Sequence, residues 1–475
     1  MESDRLPLKQ TLSKLPPEWP EDLLPAISES FVASHTKLVI LDDDPTGNQT
    51  VFNIPVLTHW PVEALQAELE NDLAAFFILT NSRSLPGQEA AQIGAEIGRN
   101  LAEASRLSGR PIAVVSRGDS TLRGHFPDEV YSLAQGLQTD FDAWLVMPAL
   151  IDAGRYTIGD IHYAVEGEWL VPIGKTVYAQ DATFGFRSSN LREWVSEKSQ
   201  GRIPAESVAS ISIENLRLGG PAKVFEILSD QPHGSVVIVN AASLRDFEVL
   251  VKGVLQAEAL GRRYIYRTTA TFIPVRFGLG SYPLLRPEQL HMSEDSGGLI
   301  VIGSYVPKTS QQIKILLERE PVARLEVDVD QLLDENKRLD EIQSIAAKAE
   351  HALQLGQDAA IYTSRALVST ADPIRSLEIG QHISSGLIEI LTHIHARPRY
   401  LLAKGGITSH DVATKGMGVQ RAMVLGQICQ GISIWQFGPE TRYPDLPYVV
   451  FPGNVGTEET LADVVQLLRY ERPTP

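Results

Sequence analysis

Short, nearly continuous apolar runs recur along the chain at 37–41, 75–79, 112–115, 143–147 and 235–239, separated by stretches with helical spacing. A run with so few polar positions leaves no face for water, so it reads as a strand covered on both sides. Strands of this kind alternating with helices predict a mostly parallel sheet between helix layers. A second series begins at 299–302 and continues at 359–362, 400–403, 432–437 and 448–451. The pattern predicts an α/β protein with two three-layer α/β/α domains, mostly parallel sheets and a cleft between the domains. Expected boundaries are a polar leader over 1–36, a first domain over 37–285 and a second over 299–468. The Gly-, Pro-, Ser- and charge-rich segment 278–298 reads as the connector. No internal repeat or low-complexity tract is evident.

At 475 residues the chain exceeds what one hydrophobic core usually organises, which agrees with two domains. Hydrophobic residues at 43% and charged residues at 21% are those of a folded globular protein rather than a disordered one. The 42 basic and 59 acidic side chains leave a formal charge of −17, which argues against nucleic acid or anionic membrane as a partner. A small anion can still bind where a few Arg side chains or helix N-termini overcome the screened surface field. Cys429 is the single cysteine, so no intramolecular disulfide and no cysteine metal cluster can form. With no secretory apolar segment in the first 35 residues and no membrane-length run, a cytoplasmic location is expected.

Ligands gather at the C-terminal ends of parallel strands, so the polar residues just after each run carry the candidate chemistry. The first run ends in Asp42, Asp43, Asp44, Pro45, Thr46 and Gly47. Crowded carboxylates can raise one pKa and create a general base, or hold magnesium; the same residues also suit a capped turn. The second run ends in Asn81, Ser82, Arg83 and Ser84, and the third in Arg117, Gly118, Asp119, Ser120, Thr121, Leu122, Arg123 and Gly124. Arg83, Arg117 and Arg123 offer planar forks for a carboxylate, and Ser120 and Thr121 offer hydroxyls; each Arg alone also suits a surface ion pair. Gly154, Arg155, Gly159, His162, Tyr163 and Asp181 read as loops over the cleft, with His162 structural.

In the second domain Gly303 and Ser304 follow one run, and Lys404, Gly405, Gly406, Ile407, Thr408 and Ser409 follow another. Pro452, Gly453, Asn454, Val455, Gly456 and Thr457 follow a third. Glycines after a strand and before a helix let main-chain amides approach phosphate, although such turns are also common without a ligand. Other matches fail. Gly174, Lys175 and Thr176 imitate a P-loop end, but Trp169 stands where its first glycine belongs. Gly416, Met417 and Gly418 lack a third glycine at Arg421. Gly118, Asp119 and Ser120 with Asp230 and His233 imitate a Gly-Asp-Ser hydrolase, but the Asp-x-x-His element runs into a core strand. His393 and His395 diverge on a helix and suggest no metal site.

Together these motifs resemble the four-carbon acid sugar kinase family, formerly a domain of unknown function, from about Lys37 to about Leu468. Asp43 to Gly47 matches its Asp-Asp-x-Thr-Gly pattern, and Asp119 to Gly124 its Asp-Ser-Thr-Leu-Arg-Gly block. Gly154 and Arg155, Gly303 and Ser304, and Gly405 to Thr408 match further family segments in the same order. The resemblance implies a sugar-acid domain followed by an ATP domain, with γ-phosphate transfer, assisted by Mg2+, to a hydroxyl of a threonate, erythronate or 3-oxo-tetronate. With the strand-end chemistry above, Asp43 or Asp44 is expected as the base, and Arg83, Arg117, Asp119, Ser120, Thr121, Arg123 and Arg155 around the acid. Ser304, Gly405, Gly406, Ile407, Thr408, Gly453, Asn454 and Gly456 are expected around the nucleotide, and closure of the domains is expected to exclude water. The chain departs from the family at Phe451, where many members carry lysine, and at Ser116 and Arg117, where two basic residues are frequent. The missing lysine supports an alternative, a catalytically silent sensor of sugar acid and nucleotide. Which acid is bound and whether the chain forms a homodimer stay open at this level.

Overall fold

A strand with apolar side chains on both faces is stable only between two covering layers, and the architecture supplies them. The computed structural model describes residues 5–47, 51–280, 283–293, 295–364 and 373–469. By its contacts the chain divides into unit 1, residues 1–50 and 59–281, and unit 2, residues 51–58 and 282–475.

Strand β1 (Lys37–Asp42) of unit 1 is buried at every position. The next strand, β2 (Ile54–Leu57), belongs to unit 2. Unit 1 continues with β3 (Ala75–Leu79), β4 (Ile112–Arg117), β5 (Ala143–Met147), β6 (Ala209–Ile211), β7 (Ser235–Val239) and β8 (Tyr264–Thr268). Their order is β6-β7-β5-β8-β4-β1-β3, with each recorded pairing parallel. The C-terminal ends of β8, β4, β1 and β3 therefore stand side by side, and the loops that follow them converge.

Helix α1 (Gly87–Ser108) crosses α2 (Asp128–Leu137) at glycines. A Cβ on Gly98 would lie 2.5 Å from the Leu133 carbonyl oxygen, and one on Gly136 would lie 2.4 Å from that of Ala95. These two helices form one set with Val62–Glu70; Leu24–Ser34, Ile213–Arg217, Gly220–Ser229 and Leu244–Glu258 form another. The segment 5–36, which the sequence suggested as a polar leader, is built into unit 1. Leu6–Pro7 pairs with Trp169–Pro172 in a small antiparallel sheet completed by Ile161–Glu166 and Arg155–Ile158. Ile27 and Phe31 are buried, and the Phe31 ring meets Phe277 edge-on at 5.2 Å.

Unit 2 adds β9 (Leu299–Ile302), β10 (Ala323–Val327), β11 (Ala359–Thr363), β12 (Leu401–Lys404), β13 (Arg421–Cys429), β14 (Ile432–Phe437) and β15 (Pro447–Phe451). The order is β2-β13-β14-β15-β12-β9-β11-β10. From β15 to β10 the pairings are parallel, whereas β2, β13 and β14 are antiparallel. Buried and half-buried positions alternate along β13, the period of a strand with only one face covered, which a search for continuous apolar runs passes over. Part of the segment read as connector is core, since Leu285 and Leu290 are buried with Ile300, Ile432 and Phe451. No described helix is long and apolar enough to cross a membrane.

Candidate functional site

In unit 1 the three carboxylates at the end of β1 have different surroundings. Asp44 is engaged on both oxygens: Oδ1 accepts the Thr46 N–H at 2.7 Å and its hydroxyl at 2.5 Å, while Oδ2 accepts from Arg83 Nη2. Asp42 is fully buried, and its Oδ1 accepts from Arg117 Nη1 at 3.3 Å. Burial outweighs that guanidinium and pushes the Asp42 carboxyl up to about 7. A side chain at Gly47 would put its Cβ 2.2 Å from both Asp42 oxygens. Asp43 is 2% exposed, and among the described residues neither of its oxygens accepts a hydrogen bond. Arg117 Nη1 lies 3.8 Å from its Oδ1 and Arg267 Nη2 lies 3.9 Å from its Oδ2.

The loop after β4 is folded around Asp119. Its carboxylate accepts from Thr121 N–H at 3.1 Å, Thr121 Oγ1 at 2.6 Å and Arg123 Nε at 2.7 Å, with Arg83 Nη1 at 3.6 Å. Burial pushes the Asp119 carboxyl up, but Arg83, Arg123 and the Thr121 bonds outweigh it and hold it at about 2. Arg83 therefore ties Asp44 to Asp119, and these loops form one cluster. The Ser120 carbonyl accepts from His162 Nε2 at 2.8 Å, and His162 Nδ1 takes the Thr157 hydroxyl at 2.9 Å. Burial lowers the His162 imidazole to about 4, so this neutral ring is a support for the loop.

Arg123 and Arg155 flank the Tyr178 ring at 5.4 Å and 5.5 Å, and Arg123 Nη1 is 3.6 Å from Asp181 Oδ2. Arg155 also donates to Tyr178 Oη at 3.3 Å. Tyr178 carries no motif signal and is visible only in three dimensions. Arg267 is the other residue that the motifs miss, because β8 mixes aromatic and polar residues and does not stand out as an apolar run. Its Nη1 donates to Ser116 Oγ at 2.9 Å and stands 4.0 Å from Glu129 Oε2. Cβ atoms on Gly118 and Gly124 would lie 2.3 Å and 2.9 Å from its guanidinium, so both glycines make room for it. Arg117 and Thr121 are largely occupied by Asp42, Asp43 and Asp119, which leaves them supporting the cluster more than facing outward.

The hydrolase arrangement does not assemble. Ser120 follows the C-terminal end of β4, whereas Asp230 and His233 precede β7, at the N-terminal ends of the parallel strands. His233 faces Asp142 at 3.2 Å instead.

In unit 2 the exits of β9, β12 and β15 meet, since these strands are adjacent and parallel. Gly405 has φ +117° and donates its N–H to the Phe451 carbonyl at 2.9 Å. A Cβ on Gly405 would lie 3.2 Å from Ser304 Cβ, and one on Gly453 would lie 3.1 Å from Ser304 Oγ. One on Gly303 would lie 2.4 Å from Thr408 Oγ1, so Ser304, Gly405, Thr408 and Gly453 share one place. Gly406 opens a short helix through Asp411, and Ile407 is 60% exposed beside it. Asn454 and Gly456 lie on the turn after β15. Lys404, the register partner of Phe451, is fully buried, with Nζ 3.8 Å above that ring and donating to the Pro452 carbonyl at 3.1 Å. Burial, then the like charge of Lys308, lowers the Lys404 amine to about 7. Among the described residues no group of three or more His, Cys, Asp or Glu is gathered that could hold a metal ion.

Two family models match the chain: a sugar-binding N-terminal domain over residues 38–275 and a nucleotide-binding C-terminal domain over 299–461. A D-erythronate kinase of Heliobacterium modesticaldum is 25% identical over 398 residues, covering 78% of this chain and 83% of that protein. Among solved structures, a Haemophilus influenzae protein of the DUF1537 family aligns with TM-score 0.62 at 17% identity, over 90% of this chain and 99% of its own. A protein of Salmonella typhimurium LT2 aligns with TM-score 0.67 at 16% identity, over 90% and 98%. These two likenesses establish the shared fold.

Proposed function

Because the chain belongs to the four-carbon acid sugar kinase family, we propose that it transfers the γ-phosphate of ATP to a hydroxyl of a four-carbon sugar acid of the erythronate or threonate class. The observation that carries this reading is the state of Asp43: a buried carboxylate with both oxygens free of hydrogen bonds among the described residues, between two guanidinium groups. Such a group can take the proton from a substrate hydroxyl as that oxygen forms its bond to phosphorus and the bond to the ADP leaving group breaks. Asp44 is a poor candidate for the same task, because Thr46 and Arg83 already use its oxygens. Its role is to hold Arg83 beside Asp119.

On this reading Arg123 and Arg155, which flank Tyr178, grip the acid's carboxylate, with Ser120 in the same loop as Arg123 and Thr121 supporting that loop through Asp119. In unit 2 the reading assigns the nucleotide to Ser304, Gly405, Gly406, Ile407, Thr408, Gly453, Asn454 and Gly456, on the strand exits that Gly405 and Gly453 allow to close around Ser304. Mg2+ suits a site with few carboxylates when phosphates supply the other oxygens, and it would neutralise charge on the transferred group. A lone cysteine and the use of ATP suit a cytoplasmic location.

The test is an ADP-release screen of the full chain with ATP, Mg2+ and a panel of erythronates, threonates and oxidised tetronates. Strong turnover with one member is expected. ATP binding without turnover of any member would replace the kinase by a silent binding protein.

A further inference from the structure

The turn that follows β15 shows an unusual division of its polar groups. Every carbonyl from Pro452 to Thr457 is held by a side chain. Pro452 O accepts from Lys404 Nζ at 3.1 Å and Gly453 O from Thr309 Oγ1 at 3.2 Å. Asn454 O and Gly456 O accept from Lys308 Nζ at 3.2 Å and 3.0 Å. Val455 O and Thr457 O accept from Gln312 Nε2 at 3.2 Å and 2.6 Å. Three of these four donors sit on one helix, α3 (Pro307–Arg319), and Thr309 and Gln312 are fully buried.

The N–H groups behave in the opposite way. Among the described residues, those of Gly453, Asn454, Val455 and Gly456 donate to nothing, while the next, Thr457 N–H, is satisfied by Thr460 Oγ1 at 2.8 Å. In a trans peptide the C=O and N–H point in opposite directions. Retracting the carbonyls of 452–455 therefore turns the N–H groups of 453–456 away from those donors. Consecutive amides presented together make a concavity for an anion. The local charge agrees: the turn is tied to two lysines, and Lys308 is the charged neighbour that acts on Lys404.

We infer that Lys308, Thr309, Gln312 and Lys404 are positioning residues: by holding the carbonyls of this turn they aim its 453–456 amides at the nucleotide's phosphate chain. This rests on the nucleotide reading of unit 2 and goes beyond it by naming the side chains that orient the turn. Gln312 is the informative member, because it carries no charge and its loss cannot act through long-range attraction.

The test uses the full-length chain and compares Gln312→Leu, Lys308→Met and Lys308→Arg for binding of ATP, tripolyphosphate and adenosine by calorimetry. Two hydrogen bonds are removed in Gln312→Leu, so ATP and tripolyphosphate should each bind about 10-fold more weakly, with adenosine unchanged. Lys308→Arg should recover most of what Lys308→Met loses. The inference is overturned if Gln312→Leu binds ATP as tightly as the wild type, or if adenosine affinity falls in parallel. Wild-type protein that binds neither ATP nor tripolyphosphate would instead remove the nucleotide reading itself.

Discussion

Arg267 brings its guanidinium to 3.9 Å from the Asp43 carboxylate, joining the end of β8 to the end of β1 across the intervening strand β4. The same guanidinium bonds Ser116 and reaches Glu129 at 4.0 Å, so it serves two buried acids at once. Removing one member of a buried charge group leaves the others uncompensated, which costs more than the pair was worth. Arg267→Met should therefore lower unfolding stability by about 3 kcal/mol in urea titrations, and Arg267→Lys should recover part of it. A loss within error of zero would show that the two acids need no counter-charge there.

If Asp43 is the base, its amide analogue keeps the shape and loses the proton acceptor. Asp43→Asn should reduce kcat by about 10²-fold or more while the Kd for ATP stays within error of the wild type. Steady-state kinetics with nucleotide titration checks both. A parallel fall in ATP affinity would contradict the role.

The carboxyl of Asp42 is pushed by burial from the ordinary 3.8 up to about 7. Between those values the folded chain holds a proton that the unfolded chain has released, so this group's contribution to stability falls as the pH rises through that window. Asp42→Asn removes the titration. Relative to wild type, the variant should therefore gain about 2–4 kcal/mol between pH 5 and pH 8, read from urea melts at both values. An unchanged difference at the two pH values would refute the assignment.

Burial lowers the Lys404 amine to about 7, with Lys308 adding a like charge. Anionic phosphates seated on the adjoining turn would favour the charged form and draw a proton from solvent. At pH 8, ATP binding should take up about half a proton or more, measured by calorimetry in buffers of different ionisation enthalpy. Lys404→Met should abolish the uptake. Binding that is buffer-independent in the wild type would count against phosphate near this lysine.

Much of the candidate site can be read from the chain because its residues cluster in short stretches after strands. Asp42 to Gly47 and Asp119 to Gly124 stand out for that reason, and the structure brings them together through Arg83. Arg267 and Tyr178 could not be found in this way. Neither lies in a dense polar stretch, and each acquires its place from pairing between distant strands or from a loop folding onto two arginines. The strand β2 escaped for a similar reason: its pairing partner, β13, is distant in the chain and alternates in burial.

By itself the amino-acid order determined the two-sided burial of the main strands and, through their parallel run, the edge where chemistry would collect; local apolar pattern and turn residues carry that information. Only the tertiary structure decided which of three adjacent carboxylates keeps both oxygens unbonded and which way the 452–457 carbonyls point. Those outcomes depend on side chains from other strands and helices, and a sequence states their presence without stating whom they meet.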